Sequence, residues 1–173
     1  MNAAKLLKHM AWANQEIFTQ VAAMPDEALD AYVVNPEWTA REIMRHIASS
    51  ATWYGYRLLD RTQLTDEDKS AWKAKLEETE IPPKTMREMP ILLERLAKAD
   101  AVLLAAAQEP EGFIVHTMDG RTVNRARSTI ISQSIHHATE HRAQLVSALE
   151  VKGFVGINLD DYDVWYYSDT IGE

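Results

Sequence analysis

The chain contains no cysteine among its 173 residues. Without thiols it can form no disulfides, no iron–sulfur clusters and no zinc–thiolate sites. Any thiol chemistry must therefore come from a small-molecule partner. The absence of cysteine also fits a reducing compartment, and we expect the protein to be cytoplasmic.

Long apolar runs and basic clusters are missing as well. No stretch approaches the ~18 apolar residues that a membrane-spanning helix needs, and the N-terminus lacks the hydrophobic block and cleavage site of a signal peptide. The net charge is −8, and no stripe of lysine and arginine marks a nucleic-acid-binding face. We therefore expect neither nucleic acid nor a membrane as a partner.

Helical periodicity dominates what the sequence does contain. Its length and its 46% hydrophobic content are typical of one globular domain, here residues 1–173. Residues 61–84 are polar and acidic, and we interpret them as a long crossover connection with a short helix near 66–78. The sequence predicts an all-α four-helix bundle. Apolar residues recur at helical spacing in four segments: 3–24, 40–60, 89–109 and 128–152.

Local signals mark two helix starts and a hairpin. The segment Thr39-Ala-Arg-Glu42 fits a capping box before the second helix. The third helix begins either after a similar box at Thr85 or at Met89–Pro90, with proline in its first turn. β-branched residues flank Asp119–Gly120, a common turn pair, which predicts a small β-hairpin before the last helix.

Three histidines fall on apolar stripes of two predicted helices. His137 and His141 are four residues apart, so they share a helix face with Cβ atoms roughly 5–6 Å apart, and His46 lies on the stripe of the second helix. Neutral imidazole is the commonest transition-metal ligand, and three protein ligands leave a position for water or substrate. Each unsatisfied buried ring would cost about 1–3 kcal/mol. We predict a three-histidine divalent metal site; the alternative is a set of ordinary hydrogen-bonded core histidines.

Polar residues at nearby helical positions are candidates to orient these ligands or to line a pocket, because each ligating ring needs an acceptor for its other nitrogen. They are Asn14, Ser50, Tyr54, Gln133, Ser134 and Arg142. The remaining histidines are predicted to lie at the surface: His9, His116 and His136. Three tryptophans are predicted to make packing or dimer contacts rather than to bind a ligand: Trp12, Trp38 and Trp53.

The segment His137-Ala-Thr-Glu-His141 also matches the H-x-x-E-H pattern of inverted zinc peptidases, in which Glu140 would be the general base. That class needs a carboxylate ligand well downstream, and only 32 residues follow His141. The peptidase pattern also leaves His46 unexplained. The three-histidine interpretation is therefore preferred.

Taken together, these motifs resemble the DinB family of bacterial metal-binding four-helix-bundle proteins over nearly the whole chain. The resemblance rests on an early helix bearing His46, the hairpin at 118–123, the segment 137–144 and the ending at 163–167. The family pattern in the last long helix is a histidine, three residues, then His-Arg-Gly-Gln. Members matching that pattern hold their metal through histidines at the positions of His46, His137 and His141.

Two positions depart from the family pattern. Ala143 replaces the usual glycine, which affects helix packing, whereas Arg142 and Gln144 match the pattern. Gln133 stands where many members have a further histidine, which concerns the surroundings of the site rather than the three ligands.

The resemblance implies a divalent metal, often zinc or nickel, frequent homodimers and no binding of nucleic acid. Some relatives in the wider superfamily use low-molecular-weight thiols as S-transferases or thiol-dependent isomerases, and many members have no assigned reaction. We therefore expect a metal-dependent hydrolase or thiol S-transferase, whose ion activates water or an external thiol toward a small-molecule substrate. The alternatives are a non-catalytic metal-binding or stress-related binding protein and a purely structural bundle.

Overall fold

The computed structural model describes residues 3–59, 63–118 and 121–173. Over these residues the chain is mostly helical, with a single two-stranded sheet. The helices are α1 (Ala3–Ala22), α2 (Ala40–Arg57), α3 (Asp66–Thr79), α4 (Met89–Ala106), α5 (Arg127–Val151) and α6 (Val164–Thr170). The strands are β1 (Phe113–Met118) and β2 (Arg121–Ala126). None of the described helices is both long and apolar enough to span a membrane.

The four long helices pack around one hydrophobic core. Helix α2 packs against α4 and α5, and α1 packs against the same two helices, while α3 covers the outside of α2. The apolar stripe predicted for α1 is buried as expected, and its one polar member, Asn14, is fully buried too. The polar 61–84 connection contains the predicted short helix, α3.

The capping box predicted at Thr39 does not form. Thr39 is the N-cap of α2, but its side chain makes no cap hydrogen bond, and its buried hydroxyl has no hydrogen-bond partner in the part of the chain that the structure describes. The reason is that Glu42 pairs with Arg45, at 2.8 Å between Oε2 and Nε, rather than with the Thr39 amide. A capping box does form at Thr65 and Asp68, before α3.

The third long helix, α4, begins at Met89 with Pro90 in its first turn, after a single 3-10 turn at Met86–Glu88. This confirms the second of the two starts that the sequence allowed. A proline at this position loses nothing, since the first amides of a helix have no intrahelical acceptor.

The predicted hairpin is present. Strands β1 and β2 pair antiparallel, with a register that runs from Phe113 opposite Ala126 to Met118 opposite Arg121. The Asp119–Gly120 turn pair lies outside the described residues. The Arg127 amide donates to the Gly112 carbonyl at 2.8 Å, so the open end of the hairpin joins the start of α5.

The segment after α5 returns to α1. Tyr167 of α6 is buried, and its ring packs against Trp12 at 5.3 Å between centroids, whereas Trp165 is 84% exposed. His9 is buried beneath this segment, where its Nε2 lies 2.7 Å from the Tyr162 carbonyl oxygen. The prediction that His9 lies at the surface is therefore wrong. The periodicity of α1 could not reveal this contact, because the residues that cover His9 are about 150 positions away.

Candidate metal centre

The three predicted ligands converge between α2 and α5. Nε2 of His137 lies 3.1 Å from Nε2 of His46 and 3.1 Å from Nε2 of His141. One nitrogen from each ring lies within 4.8 Å of the other two. The two helices run antiparallel here, so the facing turns of α2 and α5 bring together residues that are 91 positions apart in the chain. The cluster could therefore hold a metal ion.

The donor set fits a divalent ion. Zinc–nitrogen bonds of about 2.05 Å in a tetrahedral site would place neighbouring ligand nitrogens roughly 3.3 Å apart. The two observed separations of 3.1 Å are close to that spacing. All three residues are half-buried, so the cluster is not sealed inside the core. Three imidazole nitrogens suit zinc, nickel, iron or copper, and the ligand set alone does not select among them.

The surroundings favour the neutral rings that metals require. Burial, with the neighbouring His141 and His46, lowers the pKa of His137 from its ordinary value of 6.5 to about 4. Burial also lowers the pKa of His46, and the neighbouring His141 and Arg45 lower it further. Glu80 acts in the opposite direction but does not outweigh them. Both rings are therefore neutral at pH 7, with lone pairs available for coordination.

Gln144 fixes the orientation of His141. Its Oε1 accepts a hydrogen bond from Trp38 Nε1 at 2.9 Å and lies 2.9 Å from Nδ1 of His141. Because this oxygen is an acceptor, Nδ1 of His141 is the protonated nitrogen, and Nε2 presents its lone pair to the cluster. An acceptor behind a ligating histidine is the usual arrangement in metal sites.

Trp38 forms one wall of the cluster. Its ring is edge-on to His46 and to His141, at 5.2 and 5.6 Å between centroids. Trp38 therefore contacts the site directly, although its sequence context suggested only a packing or dimer contact. Its position in the loop before α2 gave no periodic signal by which the contact with α5 could have been predicted.

We expect loss of the Gln144 acceptor to weaken metal binding. In Gln144→Met the His141 ring is free to rotate, and the dissociation constant for zinc should rise about 10–100-fold. Gln144→Glu retains an acceptor oxygen at the same place and is the matched control. Competition with a chromophoric chelator at pH 7.5 measures both. Equal affinities for Gln144→Met and the unmodified protein would show that this hydrogen bond does not orient the ligand.

Tyr54 and Gln133 lie next to His137. The Tyr54 ring is edge-on to His137 at 5.6 Å, and the Gln133 side chain lies close enough to Tyr54 to oppose the effect of burial on its pKa. Burial raises the pKa of Tyr54 above its ordinary value, so the phenol stays protonated at neutral pH. Ser50 is half-buried on α2, between His46 and Tyr54 in sequence. Ser134 donates to the Ile131 carbonyl at 2.7 Å, within its own helix.

Asn14 and Arg142 belong to a separate buried cluster. Arg142 is adjacent to His141 in sequence, but its guanidinium donates to Asn14 Oδ1 at 2.7 Å and to Thr139 Oγ1 at 3.0 Å. Asp100 of α4 completes the cluster, and neither of its carboxylate oxygens has a hydrogen-bond partner among the described residues. Burial raises the pKa of Asp100 to about 7, although Asn14 and Arg142 lie close enough to oppose the shift.

The buried Asp100 was missing from the sequence predictions. A signal for it existed, because Asp100 falls between Leu96 and Leu103 on the apolar stripe of α4. A charged residue at such a position requires a partner inside the core, and Arg142 is the buried cation near it.

The other candidates of the last long helix lie away from the cluster. His136 and Glu140 are both exposed on α5. The exposure of Glu140 disfavours the inverted-peptidase pattern, in which this carboxylate would act at the ion. The side chain of His116 lies outside the described residues.

The chain was compared with protein families, curated proteins and solved structures. The model of one family, described as the DinB family, matches residues 1–167 of the 173. No curated protein and no solved structure gives a significant match. The matched stretch includes α2 and α5, the two helices that supply the three histidines.

Proposed function

The chain belongs to the DinB family, and from that premise we propose that it is a metal-dependent enzyme acting on a small molecule. His46, His137 and His141 are its ligands, and the convergence of their ring nitrogens within 4.8 Å supports this most strongly. We also propose that α1, α2, α4 and α5 form a four-helix bundle and that residues 1–173 are a single domain. The packing of α1 and α2 against both α4 and α5 supports that arrangement.

The proposed chemistry is activation of water or of an external low-molecular-weight thiol. Three protein ligands leave a coordination position for either molecule. A divalent ion held there would lower the pKa of a bound water toward ~7 or deprotonate a bound thiol. Gln144 keeps His141 aligned, and the Tyr54 ring packs edge-on against His137. Its protonated hydroxyl would donate a hydrogen bond to the substrate. The chain has no cysteine of its own to supply the thiol.

The second candidate is a non-catalytic metal-binding or stress-related binding protein. Apart from one another, the described residues that hydrogen-bond to the three rings or pack against them ring to ring are Trp38, Tyr54 and Gln144. None of these three is a carboxylate that could act as a general base. A site of this composition can hold an ion without turning over a substrate.

Turnover by zinc- or nickel-loaded protein distinguishes the two candidates. One assay supplies glutathione and monochlorobimane, in which a carbon–sulfur bond forms as chloride leaves; another follows hydrolysis of 4-nitrophenyl acetate. Catalysis should require the ion and be absent from His137→Ala. Full metal occupancy with rates equal to those of His137→Ala in both assays would favour the non-catalytic protein.

Three further properties are proposals on the sequence and the family alone: zinc or nickel as the ion, a homodimer and a cytoplasmic location. The absence of cysteine supports the location. The three nitrogen donors support zinc and nickel alike.

A further inference from the structure

A buried polar cluster of Asn14, Asp100 and Arg142 lies within the hydrophobic core, and the proposed chemistry does not use it. The three residues are 0%, 5% and 4% exposed, in that order. The Arg142 guanidinium donates to Asn14 Oδ1 at 2.7 Å. Both residues lie close enough to Asp100 to oppose the effect of burial on its pKa. A buried guanidinium and a buried carboxyl group therefore lie within electrostatic range of each other.

The cluster links three helices, and one of them also carries two of the three histidines. Asn14 is on α1, Asp100 is on α4 and Arg142 is on α5. Since α1 and α2 each pack against both α4 and α5, helices α4 and α5 lie across the core from each other. The interaction of Arg142 with Asp100 therefore spans the core and connects the helix of His137 and His141 to its far side.

Arg142 follows His141 directly in the chain, so the two side chains cannot turn independently around the helix axis. One residue corresponds to a rotation of about 100° in an α-helix, and fixing the direction of Arg142 also fixes that of His141. Thr139 Oγ1 accepts a second hydrogen bond from the guanidinium at 3.0 Å within α5. A rotation of α5 that turned its two histidines away from α2 would also pull Arg142 out of the cluster.

The other buried contacts of α5 are mostly aliphatic, and aliphatic contacts have no preferred direction. They include those of Ile130, Ile131, Leu145, Val146 and Leu149. A buried ion pair often stabilises a fold no more than apolar side chains of the same volume would. The best-attested use of buried polar groups is to fix one register of packed helices. The cluster supplies a directional contact of this kind for α5.

We propose that Asp100 is a positioning residue of the metal centre: it holds Arg142 in the core and thereby sets the rotation of α5 that directs its two histidines toward His46. Asp100 acts through Arg142 rather than by contact with the ion. The inference rests on the metal site proposed above, but it does not require that the site be catalytic. Its readout is therefore metal binding rather than turnover.

The test compares the unmodified protein with Asp100→Asn, which removes the charge and keeps the shape of the side chain. Burial raises the pKa of Asp100 to about 7, so the measurements are made at pH 8, where most of the carboxylate is charged. The dissociation constant for zinc, measured by chelator competition well below the melting temperature, should rise about tenfold. This is the lower end of the effect of losing a group that orients a ligand. The visible absorption spectrum of bound cobalt(II), which depends on ligand geometry, should also change.

Leu103→Ala is the matched control for a loss of stability alone. Leu103 is fully buried on the same helix, three residues after Asp100. This variant should melt at a lower temperature and keep the zinc affinity and cobalt spectrum of the unmodified protein. If Asp100→Asn does not fold, the double variant Asp100→Leu with Arg142→Met takes its place. It removes both buried charges, and it should still bind zinc more weakly because the directional contact is gone.

An unchanged zinc affinity and cobalt spectrum in the folded Asp100 variant would overturn the inference and leave the metal site standing. Equal weakening of zinc binding in Leu103→Ala would overturn it as well, since a general loss of stability would then explain the effect. An unmodified protein that binds no zinc would contradict the proposed function, and this inference with it.

Discussion

Replacing His137 with alanine is expected to abolish stoichiometric binding of a divalent ion. Nε2 of His137 lies 3.1 Å from the nitrogens of both other ligands, so this ring joins the α2 and α5 parts of the cluster. Its loss leaves two ligands from different helices. Loss of a group that only orients a ligand weakens metal binding by up to about 100-fold. Loss of a ligand itself should raise the dissociation constant for zinc by more than that.

His136→Ala provides the matched control. This residue precedes His137 on the same helix, has the same chemistry and is exposed. It should bind zinc with the affinity of the unmodified protein, as measured by elemental analysis and chelator competition on untagged protein. Equal loss of binding in both variants, or in neither, would contradict the assignment of His137 as a ligand.

Removal of the ion should lower the melting temperature at pH 7.5, because the ion binds the folded chain. At a free concentration 100 times the dissociation constant, binding adds about 2.7 kcal/mol to the free energy of unfolding. For a chain of this size that corresponds to roughly 5–10 °C in melting temperature. Thermal denaturation with and without EDTA measures the shift, and identical melting temperatures would count against a bound ion.

The same stabilisation should disappear on acidification. The pKa of His137 is lowered in the folded protein to about 4 from its ordinary value of 6.5, so the unfolded chain binds more protons between these two pH values. The contribution of neutral His137 to the free energy of unfolding is therefore fully present above pH 6.5 and is lost as the pH falls from 6.5 to about 4. Protons also compete with the ion for the ring nitrogens, so the EDTA-sensitive part of the melting temperature should vanish there too.

His136→Ala serves as the control for the pH dependence as well, since it removes an exposed imidazole outside the cluster. Its melting temperature should show the same loss on acidification as the unmodified protein. In His137→Ala, EDTA should have no effect at any pH. An EDTA-sensitive stability that is unchanged from pH 7.5 to pH 4 would show that the ion is not bound by these imidazoles.

Helical spacing was sufficient to predict which histidines cluster, but not the residues around them. His137 and His141 share a helix face by their four-residue separation, and His46 lies on an apolar stripe, so periodicity alone indicated all three. Gln144 and Trp38 contact His141 from a flanking helix position and from a loop. Gln144 could be identified in the sequence only as part of the family motif.

Periodicity says which residues face inward, but it does not say which inward-facing residues meet. Asn14 and Arg142 were both expected near the histidines, yet they bind each other on the side of the core that faces Asp100. The prediction that His9 lies at the surface is wrong because nothing in the sequence indicates that the segment after α5 folds back over α1. The capping box predicted at Thr39 does not form because Glu42 makes an ion pair with Arg45 on the same helix.

The most direct test of the three-histidine site is X-ray absorption at the zinc edge of the loaded protein. Three imidazole nitrogens at about 2.0–2.1 Å and one further light ligand are expected. His46→Ala should lose one imidazole from that shell. A shell with at most two imidazoles in the unmodified protein, unaltered in His46→Ala, would contradict a site shared between α2 and α5.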